Sequence, residues 1–478
     1  MKRFALTVSA LLGSLGAFAA PTVTIIGTPV QDASTREITV SYSLSEPAIV
    51  TLDVLTNGVS IGAGNVRSVW GDVNRKLAAG SHALTWQPLD DWPVNLAADG
   101  CQIAVTPWSL EDPPPYMVVA LGMASNVSFY AAAEAVPCGV VSDLSRKYQM
   151  VFSRIPARNV RWQMGQSSPV STDDKEIAHY VTLTNDYYMG VFPATFEQRN
   201  MMAMSSQSSS KGDRPDNTTS YEQLRGATSG HDWPRDGHAV ADDSIIGQFR
   251  AQSGLEAIDL PTEAEWEFAC RAGASTLYYF GSSDSVFDDY GWRNESDTTK
   301  HGGTTYSGNN RMQVPGLLLP NAYGLYDMHG NVWEWCLDWY SESYAVAGSD
   351  VTAPTGPSTG TVRICRGGSF AHHSWQASAG FHATGATSAP GSSYYTIGFR
   401  LCCPVDMRTA GDGAGTGGTP VAAVASVAGF APAAKSELAA GGLGTPEDPL
   451  DFASRLFFVE DGLDINSCEP RGMYLVIQ

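Results

Sequence analysis

The chain has 478 residues, with 29 Lys and Arg against 49 Asp and Glu and a net charge of −20. So acidic a surface is a poor partner for nucleic acid or an anionic membrane. Only 16% of residues are charged while 48 are Gly and 27 are Pro. That balance favours a loop-rich, mostly β globular protein, and the length allows two or three domains.

Residues 1–19 read as a secretory signal peptide. Lys2 and Arg3 give a positive start, an apolar run from Phe4 to Leu15 follows, and Ala17-Phe-Ala19 fits the small-x-small cleavage rule. The run is too short to span a membrane, and no later stretch is long and apolar enough. The expectation is an exported protein without a membrane span, placed in a periplasm, on a cell surface or outside the cell.

Residues 20–120 read as an all-β module. Glu37-Ile-Thr-Val-Ser-Tyr-Ser-Leu44 and Ala48-Ile-Val-Thr-Leu-Asp-Val-Leu55 alternate at period two, with a turn at Thr56-Asn-Gly58. Gly80–Trp86 and Cys101–Trp108 read as further strands. Short strands at regular spacing suggest an immunoglobulin-like sandwich. Glu111-Asp-Pro-Pro-Pro-Tyr116 marks a boundary, and residues 121–149 read as connecting strands of unassigned domain.

A second domain is expected over residues 150–404. A helix is expected near Ala194 to Met202. Ser244 caps another that runs to about Ser253 and stops at Gly254. Thr262-Glu-Ala-Glu265 is a capping box after Pro261, and Gly273 ends that helix. Trp266, Ala269 and Cys270 then share one face.

The densest stretch is Pro320-Asn-Ala-Tyr-Gly-Leu-Tyr-Asp-Met-His-Gly-Asn-Val-Trp-Glu-Trp-Cys-Leu-Asp-Trp-Tyr340. Period two from Val332 to Cys336 puts Trp333 and Trp335 on one face of a strand and Glu334 on the other. Asp327 and Glu334, with loop carbonyls between them, suit a hard cation such as calcium. Alternatively, Glu334 pairs with a distant Arg and Asp327 caps a turn.

Asn321–Trp335 resembles the signature segment of the formylglycine-generating enzyme, or sulfatase-modifying factor, family. Leu260-Pro-Thr-Glu-Ala-Glu-Trp-Glu-Phe-Ala-Cys-Arg-Ala-Gly273, Arg366-Gly-Gly-Ser-Phe370 and Gly398-Phe-Arg-Leu401 resemble its other signatures, in the family's order. Phe152–Ala157, Trp162–Gly165 and Val181–Phe192 are similar to its opening strands. The resemblance implies an α+β, loop-rich variant of the C-type lectin fold, here preceded by the sandwich. It also implies calcium held by Asp327, the carbonyls of Gly330 and Val332, and Glu334. Trp333 and Ser369 match positions lining the family's pocket, although Trp333 also reads as core.

Active members oxidise a cysteine in a sulfatase to formylglycine with oxygen and copper held by two thiolates just after Arg-Gly-Gly-Ser, and soft thiolates suit Cu(I). Ungapped from Ser369, those positions fall at His372 and Ala377; aligned on Ser374-Trp375, they fall at Ala371 and Gln376. Neither register supplies a thiol, so copper and formylglycine generation are not expected. His372 and His373 occupy that place, with His382 on the same stretch. Neighbours on a strand face opposite sides, so the pair reads as surface histidines, with a 2-His-1-carboxylate iron site as the alternative.

The eight cysteines are Cys101, Cys138, Cys270, Cys336, Cys365, Cys402, Cys403 and Cys468. An even count in an exported chain allows disulfides. The family's bridge from the Cys270 position lacks its partner here, and vicinal Cys402 and Cys403 do not join without strain. After Pro404, residues 405–449 read as a flexible Gly/Ala-rich linker, and residues 450–478 as a C-terminal extension with renewed apolar pattern.

Three functions compete. The first is a non-catalytic module for a protein or carbohydrate ligand, with Trp333, Ser369, His372, His373 and Trp375 as contacts beside the Ser-, Gly- and aromatic-rich loop 371–397. The second is an oxidoreductase with non-standard metal ligands, either a formylglycine generator whose register differs from both alignments or another metal-dependent oxidase. The third is an exported β-module that displays the lectin-like domain.

Overall fold

The computed structural model describes residues 20–430 apart from 92–99, 123–126, 167–176, 206–211, 228, 295–311, 342–348, 384–388 and 409–418. The expected leader (1–19) and C-terminal extension (450–478) lie outside the described residues.

The N-terminal module consists of two sheets. One runs in the order Val23–Ile25, Ile38–Leu44, Gly80–Trp86, Val69–Gly71, with Val30–Gln31 also on Ile38–Leu44. The other runs Ala423–Ser426, Gln102–Trp108, Ala48–Thr56, Val59–Ser60, with Lys76–Leu77 also on Ala48–Thr56. The period-two pattern decides which side chains enter the core. Ile38, Val40, Tyr42 and Leu44 point inward to meet Val50, Val54, Ile103 and Val105 around Trp86. Asn57 and Gly58 both take positive φ, 52° and 76°, and close a two-residue hairpin as expected.

Two boundaries differ from the sequence expectation. Tyr116–Ala120 does not close the first module. It lies in the next sheet, ordered Val127–Tyr130, Tyr116–Ala120, Gln149–Ile155, Tyr187–Gly190, Cys402–Pro404. The break is the proline run after Asp112, where the sequence marks it, because proline cannot donate to a central ladder, and only the module's expected end at residue 120 moves. The unassigned strands of 121–149 therefore go with the second domain. The second difference is in the expected linker, where Ala423–Ser426 forms a strand antiparallel to Gln102–Val105. Alanine is a poor strand former. Here the ladder and the burial of Val427 against the module core hold the segment.

The second domain has short mixed strands and short helices. Its described helices begin at local side-chain caps, three of which matter here. Thr195 accepts from the N–H of Gln198 and opens Phe196–Met202, while Ser244 accepts from Gly247 and opens Ile245–Ser253. Thr262 accepts from Glu265 and opens Glu263–Arg271. The second of these ends at Gly254 in the left-handed region, φ 71°, as glycine allows. In the last helix, Ala272 takes the left-handed cap, one residue before the expected Gly273.

Trp333–Trp339 is the central strand of a three-stranded sheet and is buried along its whole length. Arg363–Arg366 pairs with it antiparallel and Ile397–Gly398 parallel. Glu334 therefore lies opposite both Arg366 and Gly398. Trp333, Trp335 and Leu337 enter one core, and Cys336 enters the other beside Trp266, Ala269 and Cys270.

Candidate functional site

The sheet register brings together segments far apart in sequence. Trp333 comes from the central strand, and its backbone N–H donates to the Thr396 carbonyl at 2.8 Å. After Arg366 the chain turns sharply at Gly367 and Gly368, with φ of 94° and 74°. A side chain at Gly368 would meet Ala377 at 2.6 Å, so only glycine permits this approach. The turn delivers Ser369 and His372 to Trp333.

The Trp333 Nε1–H donates to Nδ1 of His372 at 3.2 Å. Indole nitrogen can only donate, so Nδ1 is an acceptor and Nε2 carries the ring proton. The Ser369 hydroxyl lies 2.5 Å from the same Nδ1 and donates to it, while accepting from the N–H of Ala371 at 3.2 Å. Burial, and secondarily the neighbouring His373, hold the imidazole below its ordinary pKa. Trp333 and Ser369 are buried, whereas His372 and Trp375 are half-buried. Trp375 stacks edge-on against Phe381 at 5.4 Å, and Phe381 lies 6.0 Å from Trp333.

Four of the five expected contact residues thus form one cluster. His373 does not join it. It is exposed and caps the short turn Ser374–Ala377, its N–H donating to Gln376 Oε1 at 3.2 Å. His382 is buried elsewhere, with Nδ1 2.9 Å from Glu263 Oε1. The three histidines therefore do not converge, and the described residues contain no group of three or more His, Cys, Asp or Glu placed to hold a metal.

The copper chemistry implied by the family needs two thiolates. In the ungapped register its positions are His372 and Ala377, neither with sulfur. Cys101, Cys270, Cys336, Cys365, Cys402 and Cys403 form no disulfide. Burial pushes the thiols of Cys270, Cys336, Cys365, Cys402 and Cys403 well up. These residues do not fit the copper pair.

The expected calcium residues are placed unevenly. The two oxygens of Glu334 are held by N–H donors: Nη2 of Arg400 reaches Oε1 at 2.8 Å, Nε reaches Oε2 at 3.0 Å, and Trp266 Nε1 reaches Oε2 at 2.7 Å. Asp327 is 2% exposed and accepts from the Gly316 N–H at 2.7 Å and more weakly from Asn331. Burial, with Glu334 adding to it, pushes its carboxyl up to about 6. Two buried carboxylates therefore share one guanidinium, and the excess negative charge rests on Asp327. A cation beside Asp327 fits that balance, whereas Glu334 is already neutralised.

Sequence reasoning missed three features. The alternative of a distant Arg for Glu334 is the one found, and what the sequence does not disclose is that this Arg is Arg400 of the fourth signature. Arg366, fully buried, lies between Glu263, 3.1 Å from its Nε, and Glu267, which also holds Arg271. Buried carboxylates at i and i+4 on one helix call for arginines, which was the available signal. His329 is wholly buried, with Nδ1–H donating to the Ala377 carbonyl at 2.7 Å and Nε2 accepting from the Tyr279 N–H at 3.1 Å.

The model of the sulfatase-modifying factor enzyme 1-like domain matches residues 153–404. The chain is similar to the formylglycine-generating enzyme of Streptomyces coelicolor, 37% identical over 153 residues, which is 31% of this chain and 48% of that protein. It is also similar to the formylglycine-generating enzyme of Mus musculus, 33% identical over 155 residues, 32% of this chain and 40% of that one. The chain thus spans about half the length or less of these curated relatives. A solved structure, Treponema denticola variable protein 1, matches with a TM-score of 0.40 and 22% identity over 54% of this chain and 95% of its own. On the match across residues 153–404, this chain belongs to the sulfatase-modifying factor family.

Proposed function

We propose that this is an exported binding protein whose sulfatase-modifying factor domain does not generate formylglycine. The observation that carries the reading is that neither register of the two thiolate positions, His372 and Ala377 or Ala371 and Gln376, supplies a sulfur beside the packed Trp333–Ser369–His372 cluster. Buried Trp333 and Ser369 fix the His372 ring, and what the cluster leaves for a ligand is the Nε2–H of half-buried His372 and the half-buried indole of Trp375, which is recognition chemistry. The ligand class is a protein or a carbohydrate. The two-sheet N-terminal module serves as an immunoglobulin-like display stalk. Calcium, held by Asp327 and the carbonyls of Gly330 and Val332 with Glu334 shared with Arg400, tightens the loop beneath the pocket.

The test is an oxygen-dependent assay on a Cys-x-Pro-x-Arg peptide with copper supplied, run beside elemental analysis of the purified protein. No aldehyde product is the expected result. Turnover, or about one equivalent of copper or iron lost on H372A, would overturn the reading and make the protein an oxidoreductase with non-standard ligands.

A further inference from the structure

The burial of the thiols separates one cysteine from the rest. Cys101, Cys270, Cys336, Cys365, Cys402 and Cys403 form no disulfide and are buried. Cys138 is half-buried and sits in a tight turn, closed by the Gly139 N–H donating to the Val136 carbonyl at 2.8 Å. It takes φ 62° at the third position of that turn, where such a conformation calls for glycine or asparagine. The space beside the turn is open: a Cβ on Gly139 would meet nothing within 4 Å. A cysteine kept at a strained, accessible position points to a use for its sulfur.

An exposed apolar strip lies close by. Val141, three residues on, packs so tightly on Gly316 that a Cβ there would come within 2.8 Å of it. The segment that follows is fixed. Arg146 Nε donates to the Pro315 carbonyl at 3.0 Å, the Gly316 N–H to Asp327 at 2.7 Å, and the Leu319 N–H to the Asp289 carbonyl at 3.0 Å. Along it Leu317 is 49% exposed, Leu318 is buried and Leu319 is 52% exposed. The path through Val141 puts Leu317 within roughly 20 Å of Cys138.

The remaining cysteine, Cys468, lies outside the described residues, which end at Phe430. About 40 residues of chain lead to it, a reach of about 120 Å when extended and several times the radius of gyration of a folded domain. Met473-Tyr-Leu-Val-Ile477 begins five residues after it. That run extends about 17–30 Å from Cys468, which matches the separation of Leu317 from Cys138.

We propose that Cys138 and Cys468 form a disulfide that seats Met473–Ile477 on Leu317 and Leu319. The inference goes beyond the binding reading and rests on its export, because such a bond persists in an oxidising compartment. It forms by exchange with a disulfide donor of that compartment. One thiolate attacks the donor and releases a thiol; the second attacks the mixed disulfide and releases another. The two cysteine sulfurs are oxidised, the donor is reduced, and its two thiols carry off both protons. The six interior cysteines do not compete, since exchange requires access to the sulfur.

The test is mass-spectrometric peptide mapping of the full chain, recovered after export and digested without reduction, beside alkylation of the denatured protein. A linked pair of peptides bearing Cys138 and Cys468 is expected, with the other six cysteines alkylated. C138S should lose the pair, expose Cys468 to alkylation and speed tryptic cleavage after Arg471 by at least about tenfold. L317D/L319D should keep the bond but speed that cleavage a few-fold. A linkage of Cys468 to any other cysteine, a Cys138–Cys138 bond between two chains, or cleavage unchanged in both variants would overturn the proposal. A chain recovered fully reduced is then oxidised with glutathione disulfide. Formation of the same pair would support the pairing and remove the export reading, whereas glutathione adducts in its place would overturn the pairing itself.

Discussion

The carboxylate of Glu334 and the guanidinium of Arg400 face each other in the interior, 66 residues apart in sequence and 2.8 Å apart at Oε1 and Nη2. Arg400 also donates to the carbonyls of Gly190 and Tyr326, each at 2.8 Å, so one side chain ties the central strand to the end of the strand Tyr187–Gly190 and to the segment at Tyr326. Removing either partner strands the other's charge in a fully buried site. E334Q or R400M should therefore lower stability by about 3–5 kcal/mol. The double variant should cost less than the sum, because no lone charge remains. Denaturant midpoints of the three variants check this; additive losses would mean that the pair is not coupled.

Asp327 supplies the uncompensated charge of the same region. If the proposed calcium binds there it would remove the repulsion with Glu334, and millimolar calcium should then raise the melting temperature by a few degrees and EDTA should reverse it. D327N removes the charge itself. It should melt higher than the calcium-free wild type at pH 7 and no longer respond to calcium. Scanning calorimetry of both proteins, with and without the ion, is the measurement. An unchanged wild-type melt would leave Glu334 and Arg400 as a plain ion pair and sink the calcium loop.

What the sequence disclosed followed the range of the interactions. Ser244 and Thr262 were legible as helix caps because each bonds to a backbone N–H three residues on. Trp333 and Ser369 were legible as one pocket only through family resemblance, since the turn at Gly367 and Gly368 that joins them is set by tertiary packing. Alternation did not apply to His372 and His373, which lie in a turn rather than on a strand, and the expected surface pair holds only for His373 because His372 is half-buried against Trp333. Nor could it show that Trp333 would fix the His372 tautomer. The partner of Glu334 was illegible because several arginines lie within the signatures, and only the register of Trp333–Gly398 selects Arg400. Ala423–Ser426 was hidden for another reason. Its composition is that of a linker, and its strand exists only because Gln102–Val105 offers an edge more than 300 residues earlier.

That edge strand makes a prediction within the expected linker. Val427 is 8% exposed and packs in the N-terminal core, its N–H donating to the Cys101 carbonyl at 2.8 Å. V427D would bury a carboxylate there without a partner and should cost about 2–4 kcal/mol. V421D, six residues earlier at a position 74% exposed, should be silent. Equal effects of the two substitutions in urea titrations of the full chain would return the segment to a linker.

His329 gives the pH dependence. Burial, with the Arg271 charge adding to it and the Ala377 carbonyl opposing it, holds the imidazole down to about 3 from its ordinary 6.5, and a second proton would displace the Tyr279 N–H from Nε2. Between these two values the unfolded chain binds a proton that the folded chain refuses. This group's contribution is therefore fully present above pH 6.5 and is lost progressively as pH falls towards 3. At pH 4.5 the loss amounts to about 2–3 kcal/mol. Asp327 acts with the opposite sign between about 4 and 6, since burial raises it, so the wild-type profile mixes the two. H329Q isolates the histidine: its amide supplies one donor and one acceptor but does not titrate. The difference in unfolding free energy between wild type and H329Q, measured from pH 7 to pH 4, should slope downward towards acid. A flat difference would mean that His329 is protonated in the folded protein, and that Tyr279 and Ala377 do not hold it as the geometry requires.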